Sequence, residues 1–455
     1  VKRVGPLPQR LQALYADPGR AGAFFRATTL DTLGYATRRI AEIADSPVDI
    51  DRAMCWGFGW DLGPFQIWDA LGFDRVRSDM AAAGVALPDW VTGMPGTAAF
   101  YRDRKVYVPS PGKYTEVRVP ADEISLAAIK QQRSKTLWSN EEAALLDMGD
   151  GVALFEFRSK ANTMGQRVIH GLVEAIDFVE DDASLRGMVI GNEGKHFSVG
   201  ANLKEMGGAL VAGAYDTIND YIAAFQQALQ RVHYAAKPAV VAVHKRALGG
   251  GCELVMASPN LVAAAESYVG LVEVGVGLIP AGTGCMRFAA RASARFTGHD
   301  SDLMTALRPL FECVAKGEVA TSAAHAKALG YMLPHTKVVM RSNRRFHVAK
   351  GTVIDLSEQG YMPPLPEPIR VLGQPGFSAL KIGIHQMYRA GFASDYDRHL
   401  AERVAYVMTG GALSGAQEVT EQYLLDLERT EFLKLLKNLK TQERITGMLA
   451  GKPRT

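Results

Sequence analysis

The stretch "RALGGGCELVM", Arg246 to Met256, sets three consecutive glycines against a cysteine and a glutamate inside an apolar run. Glycine at a helix start costs roughly 0.5–1 kcal/mol relative to alanine, so three in a row ask for a reason. The first amides of a helix have no intrahelical partner and sit at the positive end of its dipole. Bare backbone there lets an anionic oxygen, a phosphate or a developing oxyanion, come down onto the N–H groups. Close packing of helix on sheet is the competing explanation. No Gly-Lys-Ser/Thr follows, which excludes a P-loop.

Outward from this stretch the pattern alternates strand and helix. "GVALFEF" (151–157), "GMVIGN" (187–192), "AVVAV" (239–243) and "NLVAAAE" (260–266) read as buried strands. Between them Met164, Val168, Leu172, Ile176 and Val179, and then Ile218, Ile222, Phe225, Leu229 and Val232, recur at helical spacing. That order argues for parallel strands joined by right-handed crossovers. A second strand-to-helix turn, "GKHFSVGANLKEM", exposes amides at Gly200-Ala201. Two such turns on neighbouring strands are able to aim two N–H donors at one point.

Two carboxylates stand out. Glu253 lies in the first turn after the glycines, and Glu273 in the otherwise uncharged "GLVEVGVGLIPAGTG". A lone glutamate among apolar residues is costly unless paired or functional, and burial raises its pKa. Flanking one site, the two are suited to hold a water, one drawing its proton while the other donates; a paired structural role is the alternative. His170, His196, His233 and His244 lack metal-ligand spacing.

Size and composition set the limits. The 455 residues suggest two to four domains; 47% hydrophobic and 22% charged residues are ordinary for a globular protein, and a net charge of +3 does not argue for nucleic acid or an anionic membrane. Cys55, Cys252, Cys285 and Cys313 show no CxxC pairing, so reduced thiols and a cytoplasmic setting are expected. No long uncharged apolar run predicts a membrane span. The chain opens on Val1, and we read it as cut or processed from a longer parent.

The front of the chain reads as helical, with Leu30, Leu33, Ala36, Arg39 and Ile40 in register and a cap at Asp45-Ser46-Pro47. Gly57-x-Gly59-xxx-Gly63 superficially matches a dinucleotide loop, but a helix precedes it, the third glycine is one residue late, and Pro64 follows; a tight turn between helices is expected. Residues 100–120 alternate around Pro109-Ser110-Pro111-Gly112 as a β-hairpin, and "KQQRSKTLWSNEEA" reads as a linker. The domains expected are a helical one (1–98), hairpin and linker (99–140), an α/β core (141–345) and a helical C-terminal region (346–455).

With "KANTMG", "GKHFSVGANLKEM", "KPAVVAV…ALGGGCELVMAS", "ESYVGLVEVGVGLIPAGTG" and "AAHAKALGYML" in this order, residues 142–345 resemble the crotonase (enoyl-CoA hydratase/isomerase) family. The front, "LDTLGYATRRIAEIADSPVDIDRAMCWGFGWDLGPFQIWDALGFD", resembles the helical C-terminal domain of 3-hydroxyacyl-CoA dehydrogenases, which bacterial bifunctional β-oxidation proteins fuse ahead of a crotonase module. These resemblances imply an α/β crotonase-like (ββα spiral) core, an all-α N-terminal domain and a helical C-terminal tail. They imply Ala201 and Gly250 as oxyanion donors, Glu253 and Glu273 as the catalytic pair for syn hydration of 2-enoyl-CoA, and Lys160, Ala161, Asn202, Leu203 and Lys204 near CoA. The substrate is then an acyl-CoA thioester, CoA being part of it. No cofactor is required, and NAD is not expected to bind, because the dehydrogenase's nucleotide-binding half has no match in the sequence. A homo-oligomer is implied, with a thiolase partner left open.

The sequence departs from the family at four places: Asn202 for aspartate, Val272 for proline, Ala281 for glycine, and His244-Lys245-Arg246 for a small-residue turn. The lysine raises the question whether that turn needs a positive φ. An enoyl-CoA isomerase, relying chiefly on Glu273, and a non-catalytic acyl-CoA-binding scaffold remain as alternatives.

Overall fold

The computed structural model describes residues 4–95, 98–118 and 120–450, with the side chains of Arg133, Leu203, Lys204 and Val211 outside that description. The chain divides into two compact units, Val1–Ala121 and Asp122–Thr455.

The first unit is built on helices Leu7–Ala16, Arg20–Ile43, Pro47–Phe58, Pro64–Leu71 and Phe73–Ala82. Ser46 caps the third by accepting a hydrogen bond from the Val48 N–H, with Pro47 in the first turn where its missing N–H costs nothing. Leu30, Leu33, Ala36 and Ile40 face the core, while Arg39 points outward to Glu42. The core is aromatic: Phe100 packs edge-on against Phe65, Trp68 and Phe73 with centroids 4.8, 5.2 and 5.3 Å apart.

The glycine-rich stretch is a turn between helices. Gly59 ends one helix at φ 66°, and a Cβ on Gly63 would stand 2.3 Å from the Asp51 Cα. Asp51 is buried and accepts from the Phe65 and Gln66 amides (2.8 and 3.2 Å) and the Tyr101 hydroxyl (2.6 Å). The hairpin belongs to this unit: β1 (Tyr101–Arg102), β2 (Lys105–Val108) and β3 (Lys113–Glu116) form one antiparallel sheet, turning at residues 109–112.

The second unit carries a seven-stranded sheet. Its strands are β4 (Thr136–Ser139), β5 (Ala143–Asp147), β6 (Val152–Phe157), β7 (Gly187–Gly191), β8 (Ala239–Leu248), β9 (Asn260–Gly270) and β10 (Lys337–Val339), in spatial order β10-β9-β8-β7-β6-β5-β4. From β6 to β10 the pairing is parallel; β4 and β5 add antiparallel strands at one edge. The segment that reads as linker thus contains β4. Its polar composition hides an edge strand, which needs only one well-packed face.

Parallel strands covered on both sides read as continuous apolar runs. Phe155, Ile190, Val241 and Ala263 pack with helices Gln166–Asp181 and Tyr215–His233, whereas Leu154, Val189, Val240 and Val262 pack with Phe346, Ala349 and Val353 of helix Arg345–Glu358. The C-terminal region continues with helices Gly373–Arg389, Asp395–Met408, Glu421–Leu436 and Leu439–Leu449, plus a two-stranded ribbon of β11 (Ile369–Val371) and β12 (Gln417–Val419). The layout is a mostly helical front, a mixed α/β core and a helical tail.

Candidate active site

Backbone pairing brings the two turns together. The segment after β7 runs beside the far half of β8: the Phe197 N–H donates to His244 O, Ser198 N–H to Arg246 O, and Leu248 N–H to Ser198 O. Gly200-Ala201 therefore lies against Gly249-Gly250. Gly200 has φ 104°, and a Cβ on it would stand 3.0 Å from Leu248 O and 3.5 Å from Gly250 N. On the other side Met164 bridges Ala201, its N–H donating to Gly200 O at 2.9 Å. The Tyr221 hydroxyl donates to Met164 O and accepts from the Asn202 backbone amide, so it clamps the Ala201 turn.

Each glycine of the triplet has its own reason. Gly249 has φ 53°, and a Cβ there would stand 2.9 Å from Glu273 Oε1. A Cβ on Gly250 would lie 3.2 Å from the Phe225 ring and 3.4 Å from the Ala201 nitrogen. One on Gly251 would stand 2.5 Å from Ser198 Cβ. Close packing accounts for the third glycine; the first two border a cavity.

Lys245 does adopt the left-handed region, φ 49°, at a register shift in the β8–β9 ladder. The ladder resumes at Lys245↔Ser267 and runs to Leu248↔Gly270, and the Gly249 N–H donates to Gly270 O at 3.0 Å. The irregularity is absorbed before the glycines. Val272, where the family has proline, sits at φ −114°, outside the range of roughly −65 ± 15° that a proline ring permits.

The cavity holds about 140 Å³ and is lined by Ala201, Gly250, Glu253 and Glu273 together, with an apolar wall of Phe225, Leu278, Phe432 and Met448 among others. The four residues expected to do chemistry are thus in one place. Glu253 is buried, and its Oε1 accepts from the Gly282, Thr283 and Gly284 amides at 2.7, 2.9 and 2.9 Å. Desolvation pushes its pKa up, and those three amides pull back toward the anion. Glu273 is half-buried, but its Oε2 is shielded from solvent and has no partner. Burial first, and the Glu253 charge second, raise its carboxyl to about 8.

Among the described residues, Lys160, Ala161 and Asn202 do not line the cavity. Lys160 and Ala161 are exposed on a short 3₁₀ turn with Ala161 at φ 57°; the Asn202 side-chain amide donates to Glu205 Oε1 at 2.7 Å, and the side chains of Leu203 and Lys204 lie outside the described residues. Sequence reading missed Tyr221, Phe432 and Met448, which come from helices whose apolar residues look like ordinary core. It also missed the amides of Gly282-Thr283-Gly284, signalled only by "GTG". The four cysteines are unpaired. Among the described residues no His/Cys/Asp/Glu group is arranged to hold a metal, and no helix is long and apolar enough to cross a membrane.

The α/β scaffold that carries these paired amides and two glutamates is a crotonase-superfamily module, accompanied in the chain by a distinct helical region: residues 147–299 match the family described as enoyl-CoA hydratase/isomerase. The chain is 36% identical over 449 residues to a probable 3-hydroxyacyl-CoA dehydrogenase of Bacillus subtilis (strain 168), covering 98% of this chain and 56% of that protein. It is 23% identical over 452 residues to a putative fatty acid oxidation complex trifunctional enzyme of Rickettsia felis, covering 99% of this chain and 56% of the relative. It thus spans about half the length of these two curated relatives. An enoyl-CoA hydratase structure from Bacillus halodurans aligns with a TM-score of 0.46 at 14% identity, over 68% of this chain and all of that one.

Proposed function

We propose that the second unit is an enoyl-CoA hydratase module that adds water syn across a 2-enoyl-CoA in fatty-acid β-oxidation. The observation that carries this reading is the pair of glutamates lining one cavity in unequal surroundings, next to the Ala201 and Gly250 amides. Those amides receive the thioester oxygen and stabilise the charge it gains as the enolate forms, a contribution of roughly 10²–10³ per donor. Glu253, held toward its anion by three amides, draws a proton from water as the hydroxyl oxygen bonds to the β-carbon. Glu273, whose environment favours the protonated form, delivers its proton to the α-carbon. The apolar wall takes the acyl chain. Lys160, Ala161, Asn202, Leu203 and Lys204 border the CoA path in this reading.

The test is the loss of conjugated enoyl-thioester absorbance when the protein meets crotonyl-CoA. Hydration by wild type and not by Glu273→Gln supports the reading. Double-bond migration alone would favour an isomerase, and no turnover by either protein would favour an acyl-CoA-binding scaffold. Hydration neither makes nor consumes reduced nicotinamide, so NAD should leave the rate unchanged. The same reading expects a cytoplasmic homo-oligomer able to meet a thiolase.

A further inference from the structure

We propose that Glu428, on helix Glu421–Leu436, is a positioning residue for the Glu253–Glu273 pair: it anchors the helix start whose preceding amides hold Glu253, and its carboxyl shares their charge balance. This rests on the hydratase reading.

Helix Gly284–Ser293 begins without a side-chain cap; Thr283 precedes it with its hydroxyl buried and unpartnered. Its starting amides are divided between two carboxylates instead. Glu253 Oε1 takes Gly282, Thr283 and Gly284, while Glu428 Oε1 takes Met286 at 2.5 Å and also faces the Cys285 amide. Glu428 is 0% exposed, and its Oε2 is buried with no partner.

A helix start offers about half a positive charge, too little to hold two full anions, so ionising one of these carboxyls opposes ionising the other. The groups facing Glu428 are Glu253 from helix Gly250–Ala257, and Cys285 and Arg287 from helix Gly284–Ser293. The Arg287 guanidinium is already bonded to Glu421 at 3.0 Å and to the Gln230 side chain. Around Glu253 stand Glu273, Tyr221, Cys252, Cys285 and Glu428. Each turnover changes the charge on Glu253, and Glu428 shares the helix start that feels it.

The test compares Glu428→Gln, which keeps an amide-accepting oxygen, with Glu428→Ala, which does not. Burial, and then the Glu253 charge, hold the Glu428 carboxyl well above the usual carboxylate range, which favours its neutral form, so the equally neutral glutamine variant should keep KM and kcat within about twofold of wild type. The alanine variant should lose about tenfold or more in kcat at little cost in KM. An alanine variant with the kcat of wild type, or a glutamine variant as impaired as the alanine one, overturns the proposal. Carboxyl ¹³C NMR titration separates this from a failure of the hydratase reading: even without turnover, the Glu253 resonance must titrate higher in Glu428→Ala, whose unanchored helix start holds the Glu253 anion less well. Should that variant not fold, the Glu428 resonance must titrate lower in Glu253→Gln, and unchanged resonances overturn the proposal.

Discussion

Glu253 and Glu273 line one cavity in opposite states of hydrogen bonding: three amides converge on Oε1 of Glu253, while Oε2 of Glu273 is buried without a partner. The asymmetry divides acid from base between two identical side chains. Glu253→Gln and Glu273→Gln should each lower kcat by roughly 10²–10⁴ with little change in KM, measured as hydration of crotonyl-CoA.

The raised carboxyl of Glu273 also has a consequence for stability. Its ordinary pKa is 4.5 and its folded value about 8, so between those pH values the folded chain holds a proton the unfolded chain has lost. Stability from this group therefore falls as pH rises through that window, by at most about 1.4 kcal/mol for each pH unit crossed. Glu273→Gln should flatten the slope, making the variant the more stable protein near the upper end. Denaturant unfolding at about pH 5 and about pH 8 reads this directly.

Gly250→Ala should uncouple activity from stability. The added methyl meets the Phe225 ring at 3.2 Å and the Ala201 nitrogen at 3.4 Å, with no contact under 3.0 Å, and alanine suits a helix start better than glycine, so the melting temperature should hardly move. It does stand where the thioester oxygen would approach, and the rate should fall roughly 10²–10³. Gly249→Ala, at φ 53° and against Glu273, should also destabilise the chain, by about 1–3 kcal/mol.

Lys245 tests how much the bulge matters. Its left-handed backbone costs roughly 1–2 kcal/mol, and its ion pair with Glu266, 2.9 Å long and exposed on both sides, returns about 0–1 kcal/mol. Lys245→Gly should leave stability within about 1 kcal/mol and turnover unchanged. Lys245→Val, β-branched at a positive φ, should be clearly less stable in thermal melts.

In the first unit Asp51→Ala removes the acceptor for two amides and the Tyr101 hydroxyl. Leaving those donors unpaired should cost about 1–3 kcal/mol, seen as an earlier calorimetric transition with hydration retained.

The strand–helix alternation, the hairpin and the turn at Gly59–Gly63 were legible because periodicity and glycine–proline chemistry are local properties of a sequence. Glu253, Glu273 and the two exposed turns were legible because a carboxylate or bare backbone in an apolar run contradicts its surroundings. β4 was not, since the antiparallel partner that buries its inner face cannot be read from its own polar residues. Nor was Glu428, which sits among the ordinary charges of "YLLDLERTEF" and becomes unusual only when packing removes its water. Sequence alone thus determined which groups are available for chemistry. Tertiary structure decided which glutamate gathers three amides on one oxygen and which keeps a buried oxygen without a partner, because hydrogen-bond partners and desolvation are set by segments far apart in the chain.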